Sequence, residues 1–313
     1  MRDLLAVGLT TLDILGASVD ALPAGDEVVL IGGIDVVPAG TAGAVALVAA
    51  VLGAQTGLVS ALGDDRVGRF VRMVLEEHGV DTTLVPSLPG MRSSATILPI
   101  DSQGRRPALH ALGAAMLVEI TPEAITAASR TRSIHWGAIG APRIDPSARD
   151  RFLAAGRQAG ATISCDLIAP GPNAARDVAA ILPALDCFMP SLTEARFLSG
   201  HDDPRDAAAA FLAGGARQCV IKLGAQGLLL ATPAGIEIMP AFDVPVVDTT
   251  SCGDAFCAGY LVGIGHGWSA AESCRFGAAT AALVAQGLGT LGKLTGLEQV
   301  ISQLGTLRQR RTL

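Results

Sequence analysis

The sequence predicts an α/β protein built on a mostly parallel sheet, and three observations carry that prediction. From Thr121 onward, helix and strand signals alternate along the chain, as in repeated strand–helix units. Half of the residues are hydrophobic and only 4% are aromatic, with Ala, Leu, Val and Gly abundant. That composition suits helices packed closely on a sheet that is buried on both faces. Towards the carboxyl end, the β-prone run Val244-Pro245-Val246-Val247 meets a turn of small polar residues and then an Ala-rich segment running to Gly259. This reads as an apolar run, a turn and a buried helix.

Bulk properties exclude several functions. A chain of 313 residues is long enough for one large α/β domain or two modest ones. The net charge of −6 and the pI near 5.4 argue against a nucleic-acid partner, which would call for a basic patch. The six cysteines (Cys165, Cys187, Cys219, Cys252, Cys257 and Cys274) have no CxxC spacing and read as core fillers in a reducing compartment. The five histidines are scattered, and none has metal-ligand spacing. The apolar run after Met1 is too short for a secretory signal. Val36 to Gly63 carries no charge, but Pro38, Gly40, Gly43, Gly53 and Gly57 break it into a turn, a helix and a strand. The expectation is a cytoplasmic protein with no membrane partner.

In chain order, Leu4–Leu9 reads as a buried strand, and Asp13 just beyond it either caps a turn or meets a ligand at the strand's carboxyl end. Val28–Ile31 and Ile34–Val37 are β-prone pieces around Gly32-Gly33. A second β interruption runs from Ser93 to Ala111 about the turn Ser102-Gln103-Gly104. The two insertions form a lid, edge decoration or a dimer contact. Between them, a Gly-rich turn at 38–43 feeds an Ala-rich helix ending at Gly53. A strand over Gln55–Ala61 follows, then an amphipathic helix with Val67, Phe70, Val71, Val74 and Leu75 on one face, stopped by Gly79. Thr121-Pro122 caps a helix. Ser133–Trp136 is a strand, Pro146–Ala159 a helix, Thr162–Asp166 a strand and Cys187–Met189 a short strand. Ser191 and Glu194 have capping-box spacing. Val220–Leu230 reads as strand, tight turn, strand, with Lys222 either beside a phosphate or solvated at the strand end.

The chemistry concentrates at Asp248–Asp254. Backbone N–H groups at a helix start have no intrahelical partner, and the helix dipole makes that end positive. Small residues there let a phosphate approach the backbone. A carboxylate at the same mouth, Asp254, suits proton abstraction from a hydroxyl that attacks a phosphoryl group; the structural alternative is an acidic residue stabilising a first turn. Gly287–Lys293 satisfies GxGxxG and nearly satisfies a Walker A pattern. It follows a helix rather than a strand, and Leu294 stands where Ser or Thr is needed, so it reads as a loop.

Asp248-Thr249-Thr250-Ser251-Cys252-Gly253-Asp254 resembles the C-terminal signature of the ribokinase (PfkB-type) family of sugar and nucleoside kinases, which reads Asp-Thr-Thr-Gly-Ala-Gly-Asp. The stretch from Leu52 to Asp81 resembles the family's N-terminal signature, and the resemblance covers nearly the whole chain. It implies a ribokinase-like three-layer α/β/α sandwich with a mostly parallel central sheet and a small β lid. The implied organisation is one kinase domain over 1–313, with lid segments roughly at 14–37 and 91–112. It further implies phosphoryl transfer from ATP to a hydroxyl of a sugar or sugar-like small molecule, with Asp254 as base and the N–H groups of Ser251, Cys252 and Gly253 stabilising the transferred group. Asp13, Gly40 and Thr41 would position the acceptor. Arg105 and His110 of the second lid segment are either solvated or reach the substrate. Lys222, Gly224, Gly227 and Thr249 would serve ATP, Glu194 and Asp166 would order Mg²⁺, a monovalent cation (K⁺) could sit near Asp248 and Thr250, and the lid would form a homodimer.

Departures from the family pattern leave the acceptor open. Ala44 stands where the family carries an Asn that binds substrate hydroxyls, and Ser191 replaces the Asn of the Asn-x-x-Glu motif. A nucleoside kinase and a non-catalytic nucleotide- or sugar-binding relative are therefore the alternatives. A dinucleotide-dependent oxidoreductase fails for want of an N-terminal strand-linked GxGxxG.

Overall fold

The structure is a computed structural model and describes residues 1–310. The first half contains strands β1 (Arg2–Gly8), β2 (Thr11–Ala17) and β3 (Gly33–Ala39), helix α1 (Gly43–Val51), β4 (Thr56–Val59), β5 (Leu62–Gly63), α2 (Arg66–Glu77), β6 (Asp81–Leu84), β7 (Ser87–Leu88), β8 (Ala95–Ile100) and β9 (Leu109–Ala111). The chain continues with α3 (Pro122–Ala128), β10 (Thr131–Gly137), α4 (Pro146–Gln158), β11 (Thr162–Cys165), α5 (Ala174–Ile181), β12 (Cys187–Phe188), α6 (Leu192–Ser199), α7 (Pro204–Ala213) and β13 (Cys219–Lys222). Then come β14 (Leu228–Thr232), β15 (Gly235–Met239), α8 (Cys252–Gly265), α9 (Ala270–Val284) and α10 (Leu297–Leu304).

The fold is a three-layer α/β/α sandwich. Its central sheet has nine strands in the order β15-β14-β13-β12-β11-β10-β1-β4-β6. It is parallel from β6 to β13, and β14 and β15 close one edge as an antiparallel meander. Side chains alternate across β1. Leu5 and Val7 pack with Phe152 of α4, Val178 of α5 and Phe211 of α7 on one face, while Leu4 packs with Val48 of α1 and Phe256 of α8 on the other. Strands buried on both faces are continuously apolar, which is why the Leu4–Val7 part of β1 reads as an uninterrupted hydrophobic run. The chain moves to one side of β1 with β4 and to the other with β10, so the order reverses at β1. Open α/β sheets bind ligands beyond the carboxyl ends of their strands at such a switch point.

A second sheet, β3-β2-β8-β9, forms the lid. β2 pairs antiparallel with β3 and parallel with β8. The lid begins earlier than the sequence suggested: Asp13 lies within β2, a lid strand, and not at the end of a core strand. Val28–Ile31 is not a strand, because the ladder between β2 and β3 ends at the pair Ala17–Gly33 and leaves those residues beyond any partner. Val244–Val247 also stays out of the sheet. The N–H groups of Val247 and Asp248 both donate to the carbonyl of Ala285, at the end of α9, so this run follows a helix end and not a sheet edge. Residues 287–292 form a loop.

Candidate active site

The turn into α8 is held by one buried carboxylate. Asp248 is 1% exposed. Its Oδ1 accepts from the N–H and hydroxyl of Thr250 at 2.8 and 2.7 Å, and its Oδ2 accepts from the N–H of Gly289 at 2.9 Å. The turn then passes through Ser251 in the left-handed region, at φ 54°. This explains the glycine of the family pattern: the position demands a backbone conformation that glycine adopts freely and serine adopts under strain. Helix α8 starts immediately after. The N–H groups of Ser251, Gly253 and Asp254 have no backbone partner among the described residues, whereas that of Cys252 makes a 3.3 Å contact with the Thr249 carbonyl. The cradle is thus formed by Ser251, Gly253 and Asp254 more than by Cys252, whose thiol points back towards the carbonyls of Asp248 and Ala281. Burial pushes that thiol up to about 12, so the helix start does not activate it.

Asp254 sits in the first turn of α8. Burial pushes its carboxyl up to about 7; the charge of Asp166 adds to the effect, while Lys222 opposes it. A carboxyl in that range is matched to proton transfer near neutral pH. Behind it lies an ion pair from two strand ends. Lys222, the last residue of β13, bonds Asp166, which directly follows β11. The Cys257 thiol donates to the same Asp166 oxygen at 3.4 Å. Burial alone would lower the Lys222 ammonium, but Asp166, Cys257 and Glu194 outweigh it and hold the group well above the ordinary lysine value. A side chain on Gly253 would bring its Cβ to 3.3 Å from Lys222 Nζ. The lysine therefore lies against the cradle, buried on a partner and not solvated at a strand end.

The other Asp166 oxygen, Oδ1, is buried and has no hydrogen-bond partner. Glu194 stands nearby: burial and the charge of Asp166 raise its carboxyl. Glu194 also completes the capping box of α6, accepting from the Ser191 N–H at 2.7 Å while its own N–H donates to the Ser191 hydroxyl at 3.3 Å. Among the described residues, no three His, Cys, Asp or Glu side chains converge as a metal cage. One orphaned carboxylate oxygen beside a second carboxylate is nevertheless the donor set Mg²⁺ uses when phosphates and waters supply its remaining ligands.

The lid supplies the opposite wall. Asp13 accepts from the Thr11 hydroxyl at 3.3 Å, and burial raises its carboxyl against the opposing hydrogen bonds of Thr96 and Thr11 and the charges of His110 and Arg106. Asp13 pairs with Thr96 and Thr96 with His110 across adjacent strands, so the three form one rung. The His110 ring contacts the Thr96 hydroxyl at 3.0 Å. Two sequence expectations fare differently. Arg105 is not brought to the cleft, because its guanidinium turns to Asp101 at 2.6 Å at the lid turn. Its neighbour Arg106, itself exposed, reaches across to Thr249, donating from Nε to Oγ1 at 3.0 Å. Thr41 is close to the site but its hydroxyl is engaged, donating to the Gly137 carbonyl at 2.7 Å and accepting from the Leu9 N–H at 3.3 Å. Gly40, at φ 92°, lies where a Cβ would meet the Leu9 carbonyl at 2.7 Å, so its role in the turn is close approach.

Gly224 and Gly227 shape the turn between β13 and β14, beside Lys222. A Cβ on Gly227 would meet the Met239 carbonyl at 1.9 Å, which no side chain could tolerate. Thr249 is exposed at the mouth of the cleft. Arg106, Thr96 and Cys257 escaped the sequence reading. The β8–β9 turn carries two adjacent arginines, and only the register of that turn decides which one faces the cleft.

The pattern describing the pfkB family carbohydrate kinases matches residues 1–295. A fructokinase from Klebsiella pneumoniae is 31% identical over 268 residues, covering 80% of this chain and 83% of the relative. An aminoimidazole riboside kinase from Salmonella typhimurium is 30% identical over 233 residues, covering 72% of each. The structure of an Arabidopsis thaliana ribokinase complexed with ribose and ATP superposes with a TM-score of 0.79 at 23% identity, covering 97% of this chain and 98% of that one. No helix among the described residues is long and apolar enough to cross a membrane.

Proposed function

The chain belongs to the pfkB family of carbohydrate kinases, and from that premise we propose that it moves the terminal phosphoryl group of ATP to a hydroxyl of a sugar or sugar-like alcohol, with Asp254 as the base. The observation that carries this reading is a carboxyl tuned to about 7 at the mouth of α8, beside backbone N–H groups that have no partner. Asp254 takes the proton of the accepting hydroxyl as its oxygen attacks. The N–H groups of Ser251 and Gly253 receive the charge that builds on the transferring group, aided by the α8 dipole. Lys222, bonded to Asp166, offsets part of that carboxylate's charge beside the cradle. Gly224, Gly227 and Thr249 border the nucleotide. Asp13 and the rung behind it orient the acceptor, and Gly40 lets the chain pass close beneath it.

Asp166, through its unpartnered oxygen, and Glu194 would hold Mg²⁺, which when bound neutralises phosphate charge. Asp248 commits three of its four carboxylate lone pairs to Thr250 and Gly289, so a monovalent cation there would rest mainly on carbonyl groups of the turn. Homodimerisation through the outer face of the lid belongs to the same reading, because Ile34, Ile97 and Leu109 are 69%, 51% and 58% exposed there.

The test is coupled ADP release with Mg-ATP across ketoses, aldoses, sugar acids, sulfosugars and nucleosides, with Asp254→Ala as control. We expect turnover on one class, reduced about 10²- to 10⁴-fold in the variant with ATP binding retained. Equal loss of ATP binding would make Asp254 structural, and full activity in excess chelator would sink the mechanism.

A further inference from the structure

The lid carries a cation that faces the cleft with no anionic partner. Arg106 lies on the connection between β8 and β9, and its Nε donates to the neutral hydroxyl of Thr249 at 3.0 Å. Among the described residues it makes no ion pair, whereas the adjacent Arg105 is paired with Asp101. Thr249 lies two residues ahead of the strained Ser251, so this contact sets the guanidinium against the rim of the cradle. The same charge is felt on both walls of the cleft: it opposes the effect of burial at Asp13 on the lid and at Cys252 at the start of α8. The contact with Thr249 places the guanidinium on the lid side of the rim of the cradle.

Its chemistry is under-used there. A guanidinium presents five N–H donors in a planar fork that matches the two oxygens of a carboxylate or the edge of a phosphate. Thr249 takes one donor, and the Nη groups have no protein partner among the described residues. Recognition of neutral hydroxyls is already available from the rung of Asp13, Thr96 and His110. The chain also lacks a neutral amide at Ala44, which is fully buried in α1. A site that gives up a neutral contact and keeps an uncommitted cation is built for an anion.

We infer that Arg106 binds an anionic group carried by the acceptor, so that the substrate is an acidic sugar bearing a carboxylate or a phosphate. This rests on the kinase reading above and narrows it. The competing source of the same chemistry is the transferring phosphoryl group itself, and the experiment separates the two.

Wild type, Arg106→Gln and Arg106→Lys are assayed with matched acceptors: an aldose and its aldonate, and a ketose and its monophosphate. The wild type is expected to prefer the acid member of a pair. Arg106→Gln should raise KM for the acid member by about 10- to 100-fold more than for the neutral member, with KM for ATP unmoved. Arg106→Lys should recover part of that difference, as a point charge in place of a fork. Preference of the wild type for the neutral member overturns the inference. So does an equal fall in kcat on both members, which would assign Arg106 to the phosphoryl group. If the wild type releases no ADP with any acceptor, the kinase reading itself has failed. Calorimetry with the acid member then decides the subsite: binding lost in Arg106→Gln supports it, and no binding to the wild type removes it.

Discussion

Asp254 must be ionised to take a proton, and its carboxyl is pushed up to about 7. Accordingly kcat/KM should rise with pH through about 7 and level off above it; a flat profile from about pH 5 to 8 would remove Asp254 from the role of base. Lys222 lowers that carboxyl, so Lys222→Met should move the midpoint upward, and a downward move would contradict the arrangement. The same shift bears on stability. The folded value lies above the ordinary 3.8, so the stabilisation from this group is complete below 3.8 and is lost as the pH rises through about 7. Asp254→Asn should therefore melt above the wild type at about pH 8 and lose that advantage at about pH 4. At this scale the sequence located residues better than it oriented them. The helix start at Gly253 and Asp254 was legible from the small residues around it. Thr41 was recognisable as a hydroxyl near the site, but its commitment to the Gly137 carbonyl joins positions 96 residues apart and has no local signal. Arg105 and Arg106 differ only in which way a turn directs them.

Among the elements, the turn into α8 is the most constrained. A non-glycine residue in the left-handed region costs roughly 1–2 kcal/mol, and glycine gives back about 0.4–1 kcal/mol through a freer unfolded chain. Ser251→Gly should therefore leave stability unchanged or raise it by up to about 1.6 kcal/mol, seen as a higher melting temperature. A fall would mean that the Ser251 hydroxyl, 3.4 Å from that of Thr290, contributes more than the strain removes. Helices carried strong local signals: the caps read at Thr121 and Ser191 form as side-chain bonds, and Asp65 and Ser269 cap two further helices in the same way. Strands were less legible where pairing decides. Val28–Ile31 is as β-prone as Ile34–Val37, yet only the second finds β2 alongside it. Glu194 was read both as a cap and as a metal neighbour. The structure satisfies the cap and leaves the carboxylate near Asp166, so the two readings do not compete.

For the whole molecule, the outer lid face tests assembly. Ile97→Glu should convert a dimer to a monomer in sedimentation velocity, whereas a monomeric wild type would dismiss the lid as an interface. The strand order could not be read from the sequence, because the reversal at β1 is set by which faces the later helices cover. The lid's parallel pairing of β2 with β8, which sets Asp13 opposite Thr96, joins segments 83 residues apart for the same reason. The loop at 287–292 ties these levels together. The Thr290 hydroxyl donates to the Pro38 carbonyl at 2.6 Å at the base of β3, and the Gly289 N–H holds Asp248. A Cβ on Gly289 would strike Val37 at 2.9 Å. For anyone recombining such enzymes, this makes the lid a poor module by itself. A foreign segment spliced in at 33–39 would arrive without the matching knot at 287–292, and the misfit would surface at the turn into α8. Chimeras should be cut so that both pieces travel together.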